Sequence, residues 1–231
     1  MMVTDRFVFL HLHKSGGSFV NACLLRHVPG ARQIGSHLPS RLIPGDASQL
    51  PVIGLVRNPW SYYVSWFSFQ QHRPQPNALF RILSDEGRLD FSATIHRMLD
   101  LGLDDALLAS VVGSLPEAYG SGGLNLPGFA LAQIRGTGLG FYAYLYGYLY
   151  GDSRRPVQVG RMEELRQEIP RLFIAAGYTA SADALQFLQR EAPMNRSPHA
   201  AYGSYYDPAL RDRILAQDAL VIRGHGYAFE D

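Results

Sequence analysis

The sequence predicts an α/β fold of three layers, a central parallel sheet flanked by helices. Three short apolar runs, Phe7 to Leu10, Val52 to Val56 and Val157 to Val159, read as buried strands. Each ends in a turn containing glycine, proline or a basic residue, and a helix-like stretch follows each turn. Strands and helices alternating in this order give a parallel sheet, and ligands of such sheets bind beyond the carboxyl ends of the strands. All three turns are therefore expected at one cleft. With 231 residues and no second compositional regime, residues 1–231 are expected to form a single domain.

After the first strand the helix is expected from Ser18 to about Arg26. The second strand turns through Arg57-Asn58-Pro59 into a helix from Trp60 to about Gln70, with Pro59 suited to its first turn. The third ends at Gly160 and leads into Glu163 to Ala176, where Leu165, Ile169, Leu172 and Phe173 recur at helical spacing. Between Pro74 and Leu139 helical pattern dominates, Phe91 to Leu101 and Asp104 to Val112, followed by a Gly-rich stretch, Tyr119 to Gly128, read as a mobile loop near a substrate. Phe141 to Tyr150 reads as a partly buried amphipathic helix whose aromatics pack the core, with Tyr142 or Tyr146 available to line a cleft.

Composition narrows the function classes. Twenty-one Lys+Arg against 20 Asp+Glu leave no broad basic surface, so nucleic acid is not an expected partner and any anion must be gripped locally. A single cysteine, Cys23, leaves no intramolecular disulfide framework. No apolar run reaches membrane-spanning length, and the expectation is a soluble, cytoplasmic protein without a membrane span. Cys23 and His27, four residues apart, lack an evident third ligand, so no metal site is expected.

The turn His13-Lys14-Ser15-Gly16-Gly17-Ser18 lies between a strand and a helix, where backbone N–H groups and the positive helix end converge. Gly16 and Gly17 permit a tight turn and close backbone approach, Lys14 supplies charge, and Ser18 can cap the helix or bind phosphate. An ordinary Gly-Gly turn with a solvated lysine is the competing reading. In a Walker A loop the lysine follows the glycines; here Lys14 precedes them.

That order, in HLHKSGGSF, resembles the 5′-phosphosulfate loop of sulfotransferases that use 3′-phosphoadenosine 5′-phosphosulfate (PAPS). The resemblance implies a P-loop-like fold and cofactor contacts from Lys14, Ser15, Gly16, Gly17 and Ser18. Phe19 matches the position at which cytosolic members stack an aromatic on adenine. The family also holds the 3′-phosphate with an arginine at a later strand end and a serine eight residues on; Arg57 and Ser65 match that pair. Taken singly, Arg57 reads as a helix-start arginine and Ser65 as an exposed polar residue. The segment VGRMEEL is similar to a strand-to-helix segment of relatives in which the position of Met162 lies near adenine. Asn195-Arg196-Ser197, Tyr205-Tyr206-Asp207-Pro208 and Gly226-Tyr227 resemble the tail of bacterial and carbohydrate members. The Arg-Lys-Gly loop of cytosolic members is absent, and Arg196 is the candidate substitute, with a solvated loop arginine as the alternative. Residues 71–139 match nothing.

The implied reaction moves a sulfuryl group from PAPS to an acceptor hydroxyl on a glycan, lipid or small molecule, with no metal required. Lys14 would stabilise the leaving 5′-phosphate. His37, 20 residues before Arg57 and so close to the separation of the base histidine and 3′-phosphate arginine in cytosolic relatives, is the candidate general base, with a surface loop histidine as the alternative; His11 and His13 compete with it. Two rivals remain: a P-loop-type kinase, and a catalytically silent relative that binds nucleotide or glycan.

Overall fold

The computed structural model describes residues 1–120, 123–194 and 198–230. In chain order it places strand β1 at Met2–Val3, β2 at Val8–Leu10, helix α1 at Gly17–His27, β3 at Arg32–Gln33, β4 at Val52–Val56 and α2 at Pro59–Gln71. There follow α3 (Ala78–Leu83), α4 (Phe91–Leu99), α5 (Asp105–Ser114), α6 (Gly128–Leu131) and α7 (Phe141–Tyr150). The last elements are β5 (Val157–Arg161), α8 (Leu165–Ala175), α9 (Ala182–Arg190), α10 (Pro208–Gln217) and α11 (Ala219–Gly224). The protein is thus α/β, and no helix among the described residues is long and apolar enough to cross a membrane.

Two compact groups of residues are distinguished. The first comprises Met1–Arg57, Gly120–Asn125 and Tyr146–Arg196. It holds the whole sheet, in the order β3-β1-β2-β4-β5. The expected strands β2, β4 and β5 pair in parallel, whereas β1 pairs antiparallel with both β2 and β3. The sheet is therefore mixed, which corrects the all-parallel expectation. The two added strands are two residues long each, too short to leave a periodic trace; β1 forms where the chain reverses into β2, and β3 pairs on its other side. Thr4 closes the first reversal: its Oγ1 donates to the Phe7 carbonyl at 2.8 Å and accepts from the Phe7 N–H at 2.9 Å.

Alternation along the strands sends Phe7, Phe9, Ile53 and Leu55 to one face, where they bury against Phe19, Val20 and Leu24 of α1, Ile169, Leu172 and Phe173 of α8, and Phe187 and Leu188 of α9. Gly54, on the opposite pleat, leaves room for the Tyr150 ring, whose hydroxyl donates to the Leu55 carbonyl at 2.8 Å.

The second group comprises Asn58–Tyr119, Leu126–Leu145 and Ser197–Asp231. Its helices start where the sequence offers caps: Asn58, Asp90, Asp104 and Asp207 each accept from a backbone N–H of the following turn. Tyr205-Tyr206-Asp207-Pro208 is thereby explained as a helix start, with Pro208 in the first turn of α10. Tyr142 is fully buried and stacks on Tyr62 with ring centroids 4.0 Å apart, so it packs the core and lines no cleft. At the start of α7 the buried Asp218 carboxylate accepts from the Ala143 N–H at 2.7 Å and from the Tyr63 hydroxyl at 2.8 Å.

Candidate functional site

The register of the parallel strands explains the site. Leu10, the last residue of β2, lies opposite Gly54, so β4 runs two residues further before it releases Arg57. At roughly 3.3 Å per residue this carries Arg57 about 10 Å beyond the β2 end, level with the loop that β2 feeds. There the Arg57 guanidinium donates to the Lys14 carbonyl at 3.2 Å. Val56 pairs with Arg161, so Met162 leaves β5 at the same level. Three turns meet at one sheet edge, as the alternation of elements predicts.

Each glycine of the first turn has its own physical reason. Gly16 is the N-cap of α1 with φ 77°, a left-handed conformation, and a Cβ there would lie 2.7 Å from Leu165 Cδ1 and 3.1 Å from Met162 Cγ. Gly17 is covered by the His11 ring, which a Cβ would meet at 1.8 Å. Lys14 itself is left-handed (φ 57°). Ser18 is not the cap: it is exposed in the first turn of α1, and no side chain caps that helix end. The first N–H groups of an α-helix have no partner within the helix, so those of Gly17 and Ser18 define a positive, uncapped end. Ser15 is buried, its Oγ donating to the His13 carbonyl at 3.3 Å.

Burial, then the charge of Arg57, lowers the Lys14 pKa to about 8. The Lys14 ammonium and the Arg57 guanidinium thus bring two positive charges to one turn.

Beside this turn three imidazoles assemble. His37 lies 4.5 Å from His11 and 5.1 Å from His13 between ring centroids, and all three are buried. Burial chiefly holds them neutral: it pushes His11 and His13 well below the usual histidine value, and His37 down to about 4. His37 Nδ1 lies 2.7 Å from the His11 carbonyl oxygen. A carbonyl only accepts, so Nδ1 carries the proton and Nε2 is the basic nitrogen. His37 is also left-handed, at φ 52°. His11 is structural in two ways, its carbonyl orienting His37 and its ring roofing Gly17. Among the described residues, no group of three or more His, Cys, Asp or Glu is disposed to hold a metal ion.

Other sequence-predicted residues fall elsewhere. Phe19 is 5% exposed and packs on Phe187 at 5.3 Å, with the Arg166 guanidinium 5.7 Å from its ring; its faces are occupied by protein. Met162 is half-buried against Gly16. Ser65 is buried in α2, within the second group, and not on an exposed face. Arg196 lies outside the described residues. Cys23 and His27 pack the helix interface, Cys23 inside the core and His27 5.3 Å from the Phe187 ring.

One residue escaped sequence reading. Asn125, buried and left-handed at φ 52°, accepts from the Gly120 N–H and donates to the Ser36 carbonyl, both at 2.7 Å. Its only sequence signal is an asparagine closing a Gly-rich stretch, which suits a left-handed turn and carries no hint of His37. No family model and no curated protein matches the chain.

Proposed function

We propose that the chain is a PAPS-dependent sulfotransferase of P-loop-like fold, moving a sulfuryl group to the hydroxyl of a glycan, lipid or small-molecule acceptor. The observation that carries this reading is the meeting of Arg57 with the Lys14 loop at the uncapped end of α1. A nucleotide with phosphate at both its 3′ and 5′ positions needs such paired positive groups at one sheet edge. Lys14 and the N–H groups of Gly17 and Ser18 take the 5′-phosphate, and Arg57 takes the 3′-phosphate. Ser65 and Arg196 remain assignments of the sequence resemblance.

The donor supplies an activated sulfuryl group whose leaving side is the 5′-phosphate. Lys14 and the helix-end amides offset the charge that grows there, acting as groups already in place. His37 Nε2 accepts the acceptor's hydroxyl proton, with Nδ1–H held by the His11 carbonyl. Because burial keeps His37 neutral above about pH 4, the base form is present throughout the neutral range.

Incubation with PAPS labelled in the sulfuryl group, against a panel of hydroxylated acceptors, tests the reading; absence of labelled product with every acceptor argues against it. A kinase of similar architecture transfers from ATP and loses activity when magnesium is omitted, which the sulfotransferase reading does not predict.

A further inference from the structure

Two bonds converge on the residue before His37. Asn125 Nδ2 donates to the Ser36 carbonyl at 2.7 Å, while its Oδ1 accepts from the Gly120 N–H at 2.7 Å. His37 is left-handed, and a side-chain-bearing residue holds that conformation only where its surroundings impose it. The peptide plane entering His37 is fixed by Asn125, and the ring leaving it is fixed by the His11 carbonyl. With both ends set, Nε2 has one direction.

We infer that Asn125 is a positioning residue for the His37 imidazole, reaching it through the Ser36 carbonyl. Its effect on turnover rests on the sulfotransferase reading; its effect on the ring does not. Asn125 thereby ties the end of the Gly-rich stretch to the loop that carries His37.

Asn125→Gly removes the amide at a position where glycine accepts φ 52° without strain. Asn125→Asp keeps the acceptor for Gly120 but sets an oxygen against the Ser36 carbonyl oxygen, turning attraction into repulsion. Imidazole 15N spectra, with His37 assigned by its loss in His37→Ala, report the tautomer; kcat and KM with PAPS report positioning. The wild type is expected to show one His37 tautomer, protonated on Nδ1. Both variants are expected to show a shifted or averaged His37 signal and a kcat lowered by about 10- to 100-fold, the scale of a small misplacement. The KM for PAPS is expected within about twofold of wild type, since Asn125 is remote in role from the phosphate groups. Unchanged His37 spectra in both variants overturn the inference, and so does unchanged kcat in an active enzyme. Should Asn125→Gly fail to fold, the isosteric aspartate variant decides by the same readouts. A wild-type protein that transfers no sulfuryl group counts against the proposed function, while the spectra still decide the role of Asn125.

Discussion

Binding of an anion at the Lys14 loop must draw protons from solution, and the size of that uptake follows from the structure. Burial and Arg57 hold the Lys14 pKa at about 8, against 10.5 for a solvated lysine. That difference corresponds to roughly 3 kcal/mol, which the free protein forgoes whenever Lys14 is charged. The folded pKa lies below the unfolded one, so the free protein gains stability as pH rises from about 8 towards 10.5 and loses it as pH falls back. A phosphate beside Lys14 restores its pKa towards the solvated value. Binding of 3′,5′-ADP is then coupled to uptake of about half a proton at pH 8 and about nine tenths at pH 9, where the phosphates are already ionised. Calorimetry in buffers of different ionisation enthalpy measures this number directly. Lys14→Arg, charged at every accessible pH, is expected to bind with no uptake, and Lys14→Met to bind at least about tenfold more weakly with none. Uptake that is absent in the wild type at pH 8, or that persists in Lys14→Met, refutes the reasoning.

Further outcomes follow from the same geometry. The pH profile of kcat/KM is expected to fall below about 4, where His37 protonates, and above about 8, where Lys14 loses its proton; Lys14→Arg removes the alkaline limb only. His37→Ala is expected to bind 3′,5′-ADP like the wild type and to turn over about 100- to 10,000-fold more slowly, measured by single-turnover sulfuryl transfer. Gly17→Ala drives a methyl group into the His11 ring, with an expected loss of about 1–3 kcal/mol by urea denaturation and weakened nucleotide binding. In the second group, burial raises the Asp218 pKa from 3.8 to about 7. The fold accordingly loses up to about 4 kcal/mol as pH climbs from about 4 to about 7, and Asp218→Asn is expected to abolish that slope in denaturation curves.

The parts of the structure that the sequence discloses are those written by local chemistry. Val52 to Val56 is a β-prone run stopped by Arg57-Asn58-Pro59, and both strand and helix begin where those residues place them. Likewise, glycines before a helical pattern marked the α1 turn. What stayed hidden depends on distant partners. The strand at Arg32–Gln33 exists only because Met2 and Val3 pair with it. Phe19 looked available because nothing near it in sequence announces Phe187, 168 positions later, whose ring closes over it. The left-handed Lys14 and His37 contradict the local preference of both residue types. Asn125 reaches Ser36 across 89 residues, a link that no spacing rule anticipates.

The proposed division of labour between Lys14 and Arg57 is open to direct view by phosphorus NMR of bound 3′,5′-ADP, whose two phosphates give separate resonances. Both signals are predicted to shift on binding, with Lys14→Met altering chiefly the 5′ signal and Arg57→Met chiefly the 3′ signal. If neither signal moves with the wild-type protein, or if both variants disturb the same phosphate alone, the two turns do not hold opposite ends of one nucleotide.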